Sequence, residues 1–524
     1  MADSSRTRVA QIPELLRFIH RHATPGTRTS LLQVSRSFFS TGAPIMWESV
    51  EGVYNLLRLI PNTDITALAR GISCKVIITL PSTPDLSRFN LYAHCIRKLE
   101  IYCPNDSVPC DSITLTNWMV LSAHSRGHGL LPNLSQLSLQ PVHGWGGDNE
   151  PFIWTRTFMS SSLTTIHLAT KADHRLFITF PIASTLLRHV VSNCPNLHKL
   201  SLVTLEQHMV QKPSDLSTAL TFWDPSYYES LSSLPLRELR CGASLLLPDN
   251  IYALTKLQSL ERLELHGEYD SPTQDAPRPE MLPLLNTLIL VAEHWSDIIG
   301  ILKLNVYFGV KSLEIRIVEN YGDEMLNDAL TTKLTVLIKS CCPALINLEI
   351  DSGNDYYFFL EDISAFQALA ALPLRSVCLI NMTFPCSMLE RLVSFFPLAS
   401  TIKMPNCFLS LAELHCFSRL PNLVHLAINI FPVGVSTLPQ ALQPDSIQAA
   451  LNLQVLEIAS SPTSLSVDLS PLARYLLSVW PNLKRVIWTE GRGPEEEDRE
   501  IRNVIANALN ALISTHRLIS NVNR

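Results

Sequence analysis

Apolar and polar residues alternate in one short stretch that returns along the whole chain. It reads LPNLSQLSL at 131–139, CPNLHKLSL at 194–202, CPALINLEI at 342–350, LPNLVHLAI at 420–428 and WPNLKRVIW at 480–488. A leucine or similar residue holds positions 4, 7 and 9. The second half of each stretch therefore alternates with period 2, the pattern of a half-buried strand. The leading Leu-Pro, Cys-Pro or Trp-Pro does not fit inside a central strand, so it marks the turn before it. Following position 7 gives fourteen strand centres: Leu99, Leu137, Ile166, Leu200, Leu239, Leu263, Leu288, Leu313, Leu348, Val377, Ile402, Leu426, Leu456 and Val486, spaced 24 to 39 residues apart. Such a recurrence predicts a solenoid whose rungs bury their apolar faces only by stacking.

Helical spacing fills many of the intervals. TLLRHVVSNC (185–194) and EMLNDALTTKLTVLIKSC (324–341) each carry an apolar stripe, and SPLARYLLSVW (470–480) offers Ser470 as N-cap with Pro471 at the first helical position. SRFNLYAHCIRKLEI (87–101) reads as a helix ending near His94 and then a strand; KVIITL (75–80) reads as a further strand. The longer intervals hold extra loops, GWGGDNEP (144–151) and DPSYYES (224–230). Helix then strand, repeated, is the leucine-rich-repeat unit, with parallel strands on a concave wall and helices on the convex side. Few rungs carry the Asn or Cys that follows a regular repeat, Asn381 and Asn406 among them, so the array is irregular. Its "CPNL" openings, at Cys194-Pro195 and Cys342-Pro343, resemble the cysteine-bearing repeats of F-box proteins. At the far end, the acids Glu495–Asp498 start a helix whose stripe of Ile501, Val504, Ile505, Ala508, Leu509, Leu512 and Ile513 suits a cap on the last rung.

The first 50 residues differ. Pro13 opens a helix bearing Leu15, Leu16 and Ile19; Thr24-Pro25-Gly26 breaks the chain. A second helix carries Leu31, Leu32, Val34, Ser35 and Phe38, with Thr29 or Ser30 as cap, and Pro44 starts a third element burying Met46 and Trp47. Three such helices make a small core, which needs a neighbour or a partner. The run Ile12-Pro13-Glu14-Leu15-Leu16, then Ile19, Leu31, Val34, Arg36, Phe38 and Trp47, resembles an F-box, with Ser35 where a cysteine is common. An F-box followed by a helix and a strand is similar to the F-box-like families of mushroom-forming fungi. The resemblance implies docking on the Skp adaptor of SCF ubiquitin ligases and, through it, on cullin. The residues it points to are Ile12, Pro13, Glu14, Leu15, Leu16, Ile19, Leu31, Val34 and Trp47, as adaptor contacts or as trihelix core.

The fold class is thus α/β: an N-terminal all-α, F-box-like trihelix followed by an irregular leucine-rich-repeat solenoid. The expected divisions are a disordered N-terminus (1–10), the helical domain (11–60), the solenoid (61–490) and a C-terminal helical cap (491–524). At 524 residues the chain exceeds a single globular core, and 17% charged against 46% hydrophobic residues describes a folded chain. A net charge of −6 with both signs scattered shows no nucleic-acid footprint. No apolar run suits a membrane span and no signal peptide is visible. Twelve cysteines without a CxxC pair fit reduced thiols in the cytoplasm, the nucleus or both, with adjacent Cys341 and Cys342 read as one buried and one half-buried; the sequons at Asn105, Asn133 and Asn381 are then chance matches.

No P-loop, GxGxxG after a strand, GxSxG or HExxH occurs, and His124 and His128 sit in a glycine-flanked loop without a third ligand. No enzyme activity, cofactor or metal is expected. The polar positions 6, 8 and 10 of each strand point away from the core. In the middle rungs they are Glu238 and Arg240; Arg262, Glu264 and His266; Ser312, Glu314 and Arg316; Asn347, Glu349 and Asp351. Early rungs offer Lys98, Glu100 and Tyr102, then Gln136, Ser138 and Gln140, while Ala427, Ala459 and Ile487 make the late rungs plainer. Two functions fit. One is the substrate-recognition subunit of an SCF-type ubiquitin ligase, with an unknown target protein on the concave face. The other is a non-ligase scaffold whose N-terminal helices only cap the solenoid.

Overall fold

The computed structural model describes residues 12–70, 73–103, 110–124, 129–139, 150–168, 178, 180–204, 225–246, 250–267, 282–304, 309–318, 327–353, 358–359, 362–410, 413–430, 452–458, 469–488 and 496–522. Residues 1–10, Asn105, His128, Gln140, Ala459 and most of the GWGGDNEP loop lie outside these. The chain divides into two compact units, Met1–Leu260 and Glu261–Arg524.

All fourteen anticipated strand centres lie in parallel strands, and they face one another directly. In the first unit Leu99 pairs with Leu137, Leu137 with Ile166, Ile166 with Leu200 and Leu200 with Leu239. In the second, the ladder runs Leu263, Leu288, Leu313, Leu348, Val377, Ile402, Leu426, Leu456 and Val486. Each of these side chains is at most 2% exposed. Stacking the same position of every rung gives each leucine an apolar neighbour on both sides. Burial of this kind is worth about 1.5–3 kcal/mol per side chain. This is a leucine-rich-repeat solenoid. A further strand, Ser49–Glu51, precedes them and pairs Val50 with Leu99. It lacks the Pro-Asn-Leu opening, which is why the repeat pattern does not reveal it.

The opening turns do more than admit the strand. Asn133 donates its side-chain N–H to His94 O at 2.7 Å, Asn196 to Ser161 O at 3.1 Å and Asn452 to Pro421 O at 2.6 Å. In these three openings the asparagine thus ties its rung to the one before. At the other end of the rungs, Asn406 Oδ1 accepts the N–H of Asn381 at 3.0 Å. Asn381 itself sits at φ 59° and donates to Asp351 Oδ1 at 2.6 Å. Its side chain is committed to the fold, which leaves the sequon there without a free acceptor.

Helices follow the strands: Ser87–Ala93, Met119–His124, Glu150–Phe158, Phe180–Asn193, Pro225–Ser232 and Ile251–Thr255 in the first unit, Trp295–Leu302, Asp328–Cys341, Cys386–Ser394 and Ser470–Val479 in the second. Four details correct the sequence reading. DPSYYES is helical from Pro225 on, not a loop, because Tyr227 and Tyr228 are needed in the core, at 3% and 6% exposure. His124 ends a helix, its Nδ1 2.8 Å from Val120 O. Ser470 lies inside its helix, where Leu469 is the cap position and no side chain caps it. Cys341 and Cys342 are both fully buried. KVIITL belongs to a separate sheet of three strands, Asp64–Arg70, Ser73–Thr79 and Cys110–Thr116. Its Cys110–Thr116 edge is covered by side chains. Glu150 accepts the N–H of Ile113 at 2.6 Å, and Trp154 Nε1 donates to Ile113 O at 3.3 Å.

The same device closes the last rung. The helix Glu496–Val522 lays Ile505, Leu509 and Ile513 inward. Between them Asn510 Oδ1 accepts from Val486 N at 2.7 Å and its Nδ2 donates to Val486 O at 2.9 Å. One amide side chain thereby stands in for a sixteenth strand's peptide group. Val504 and Ala508, expected in the stripe, are exposed, because the helix presents its 505–509–513 line to the sheet.

Three helices precede the rungs: α1 (Pro13–His22), α2 (Pro25–Leu32) and α3 (Arg36–Met46). Thr24 caps α2, accepting Thr27 N–H at 3.4 Å, so the predicted break is the start of that helix and Thr29 and Ser30 lie within it. Ser35 caps α3, accepting Phe38 N–H at 3.3 Å. Ser35 and Phe38 thus belong to the third helix, which contains Pro44 rather than starting at it. A serine's side chain competes with helical backbone bonding, so it ends one helix and begins the next. Pro44 leaves only the carbonyl of exposed Ser40 without its helical donor. The trihelix core holds Leu16 at 1% and His20 at 0% exposure, with His20 Nε2 3.2 Å from Phe38 O. Gly42 is required opposite. A Cβ there would run into the His20 ring and approach Leu32 Cδ2 to 2.7 Å.

Candidate interaction surfaces

Of the residues that the F-box resemblance singles out, Leu16 is core. Leu31 is half-buried, and Trp47 stacks on Tyr92 of the helix Ser87–Ala93, with ring centroids 4.5 Å apart. Met46 and Trp47 were expected to be buried and are half-buried, since the indole lies across the joint to the first repeat. The others face outward. Pro13 and Glu14 are exposed, and Ile12 is 41%, Leu15 42%, Ile19 36% and Val34 64% exposed. Phe18, which the sequence reading passed over, is 62% exposed. It stands three residues after Leu15, one helical turn away, so the spacing was there to be seen. The trihelix therefore spends one leucine and a histidine on its own core and leaves a run of large apolar side chains at the surface.

The second surface is the sheet face opposite the leucines. In the first unit Glu238 pairs with Lys199 across one rung at 2.6 Å, and Arg240 lies half-buried beside it. Tyr102 and Ser138, expected on this face, are buried. In the second unit the register lays the open-face residues out as rows. One row is Arg262, Thr287, Ser312, Asn347, Ser376, Thr401, His425; the next is Glu264, Ile289, Glu314, Glu349, Cys378, Lys403, Ala427, Glu457. His266 is 4% exposed, its Nε2 2.8 Å from Glu264 Oε1. Arg316 Nε donates to Glu314 Oε1 at 2.5 Å. Asp351 Oδ1 accepts from Gly353 N at 3.1 Å as well as from Asn381. Arg262, at the row's start, and Asn347, three rungs on, are exposed.

Burial pushes the carboxyl of Glu349 up from its ordinary range. Glu314 and Asp351 add to this, against Arg316 and Lys403. Burial pushes the thiol of neighbouring Cys378 up to about 12, and the same carboxylates contribute. Cys194, Cys342 and Cys416 are likewise pushed up to about 12 by burial, so these thiols stay protonated at neutral pH and are poor nucleophiles. Among the described residues no group of three or more His, Cys, Asp or Glu is placed to hold a metal ion. None of the described helices is long and apolar enough to cross a membrane. The late rungs are not plain. Lys403 stands on this face, and His425 Nε2 lies 3.1 Å from Glu457 Oε2. The signal for all three was the same alternation used for the earlier rungs.

Fold and faces together define a leucine-rich-repeat solenoid with a helical N-terminal block. No family model matches the chain, and no curated protein does. Similar solved structures include that of a TLR13–ssRNA13 complex, at 14% identity over 79% of this chain and 52% of that chain, with a TM-score of 0.31. Another is an internalin (inlF) from Listeria monocytogenes, at 15% identity over 69% of this chain and 78% of that one, with a TM-score of 0.29. The chain spans about half the length of the first of these.

Proposed function

We propose that the chain is a substrate receptor of an SCF-type ubiquitin ligase, holding a Skp-type adaptor with its trihelix and a target protein with the open face of its rungs. The observation that carries this reading is the outward set Ile12, Leu15, Ile19 and Val34 on a block too small to be stable alone. Apolar side chains left at 36–64% exposure are what a partner would cover. No bond is made or broken by this chain under the reading. It acts by raising the effective concentration of the target near the transferring enzyme. Such a receptor works in the cytoplasm or nucleus, where the ten cysteines that the structure shows as free thiols would remain so.

The test is direct binding of the full chain to a purified Skp adaptor by calorimetry. Ile12→Asp combined with Val34→Asp, both at exposed positions, should abolish binding and leave the unfolding free energy within about 0.5 kcal/mol of the parent. Absence of adaptor binding by the parent chain would sink the reading.

A second reading, an N-terminal cap on a non-ligase scaffold, is favoured by one set of contacts. Trp47 and Phe39 both pack on Tyr92, and Glu48 O accepts the N–H groups of Arg97 and Lys98, each at 2.9 Å. Under it the trihelix resists limited proteolysis and binds no adaptor.

A further inference from the structure

The helix side of the first unit carries a cluster that the reading above does not use. Phe152 and Arg156 lie one turn apart on the helix Glu150–Phe158 and so share a face. Arg156 Cζ sits 5.4 Å from the ring centroid of Trp118 and 5.8 Å from that of Phe152. Phe152 in turn lies 5.7 Å from the ring of His189, next to exposed Arg188 on the helix Phe180–Asn193. Arg156 is exposed and has no hydrogen bond or ion pair with any described residue. The one carboxylate on its own helix, Glu150, is buried and turned inward onto Ile113 N.

Two aromatic rings therefore hold a guanidinium in place while no described residue claims its N–H donors. A planar cation fixed in this way loses little further freedom on binding, and its fork matches a carboxylate. His189 is pushed down by its burial and then by the nearby positive charges of Arg156 and Arg188. Met119, beside Trp118, is 70% exposed and offers an apolar contact at the cluster's edge. Two arginines and no lysine supply too little charge to track a polyphosphate backbone, which is neutralised by many cations at once.

We propose that this cluster is a second protein-binding surface, in which Arg156, seated against Trp118 and Phe152 and flanked by Arg188, takes a carboxylate from an acidic segment of a partner protein. It is separate from the trihelix and from the open face of the rungs, and it stands or falls independently of the ligase reading.

The test uses the full chain, with fluorescein-labelled decaglutamate and an oligouridylate of equal length as probes in anisotropy titrations at low salt. Decaglutamate should bind the parent chain. Arg156→Gln should weaken it about tenfold and Arg156→Lys by less, since the ammonium keeps the charge and loses the planar fork. Lys256→Gln should have no effect, although Lys256 also lies over a ring, that of Tyr252 at 4.4 Å, because that pair is isolated. The Ile12→Asp, Val34→Asp variant should bind decaglutamate as the parent does. No binding of decaglutamate, equal weakening by Lys256→Gln, no effect of Arg156→Gln, or tighter binding of the oligouridylate would each overturn the proposal.

Discussion

The leucines of the rungs and those of the first helix have the same chemistry and opposite fates. Leu288 and Leu426 are fully buried in ladders where every neighbour is apolar. Leu15, on the amphipathic helix α1, and Ile12, at its N-cap, are exposed to 41–42%. A rung gains its burial from the rungs beside it, so the apolar face is satisfied as soon as the array stacks. Among the described residues the trihelix has no such neighbour for its outer face. Its inner face is closed by Leu16 and His20 against Gly42, and its anchor to the repeats is α3, through Trp47 on Tyr92. What a repeat array supplies automatically, the N-terminal block would take from a partner under the receptor reading.

The strongest way to break this contrast is to remove a rung leucine. Leu288→Ala should destabilise the second unit by about 2–5 kcal/mol, because a ladder of fixed spacing cannot collapse into the cavity. Urea unfolding followed by circular dichroism would read it. The loss should leave adaptor binding by the trihelix unchanged below the transition. A cost under about 1 kcal/mol would mean that the rungs are looser than their burial indicates.

The next largest effect tests how the array ends. Asn510→Ala strips the N–H and C=O of Val486 of their partners at 2.7 and 2.9 Å, leaving a strand edge under a helix. A buried backbone group without a partner costs about 1–3 kcal/mol. Hydrogen exchange should show faster exchange at Val486 and its neighbours, with the Leu263 and Leu288 rungs unchanged. Uniform exchange across the second unit would show that the cap is not a local device.

How far these regions were legible in the sequence follows from the same contrast. The fourteen ladder positions could be read because a strand needs only period 2 and the openings repeat a proline turn. Val50 could not, since its strand has three residues and no such turn. The helix boundaries at Leu32 and Ser35 were misplaced because a serine between two apolar runs fits a helix interior as well as a cap by spacing alone. Only the hydrogen bond to Phe38 N decides between them. On the open face, alternation located Glu264, Glu314 and Glu349, and the register put them on one row. Lys403, His425 and Glu457 were hidden because small Ala427, in the rung of His425 and between those of the other two, makes the late rungs read as plain. The role of the opening asparagines was also hidden. Asn133 and Asn196 look like turn formers, and their bonds to the preceding rung exist only once the rungs are stacked.

The smallest effect sharpens the comparison at the other end of the chain. Ser35→Ala removes the side-chain acceptor for Phe38 N and leaves the rest of α3 in place. Loss of an N-cap costs roughly 1 kcal/mol. In a rung that amount would be spread over stacked neighbours. In the trihelix it falls on a block with one buried leucine, so the first helices should open locally well before the units unfold. Limited proteolysis should then cut within residues 12–46 several times faster than in the parent chain, while the urea midpoint of the solenoid stays where it was. If proteolysis is unchanged, the trihelix is held by the repeats as firmly as one rung holds another. Its exposed apolar face would then belong to a rigid cap, and the case for a partner would rest on the adaptor titration alone.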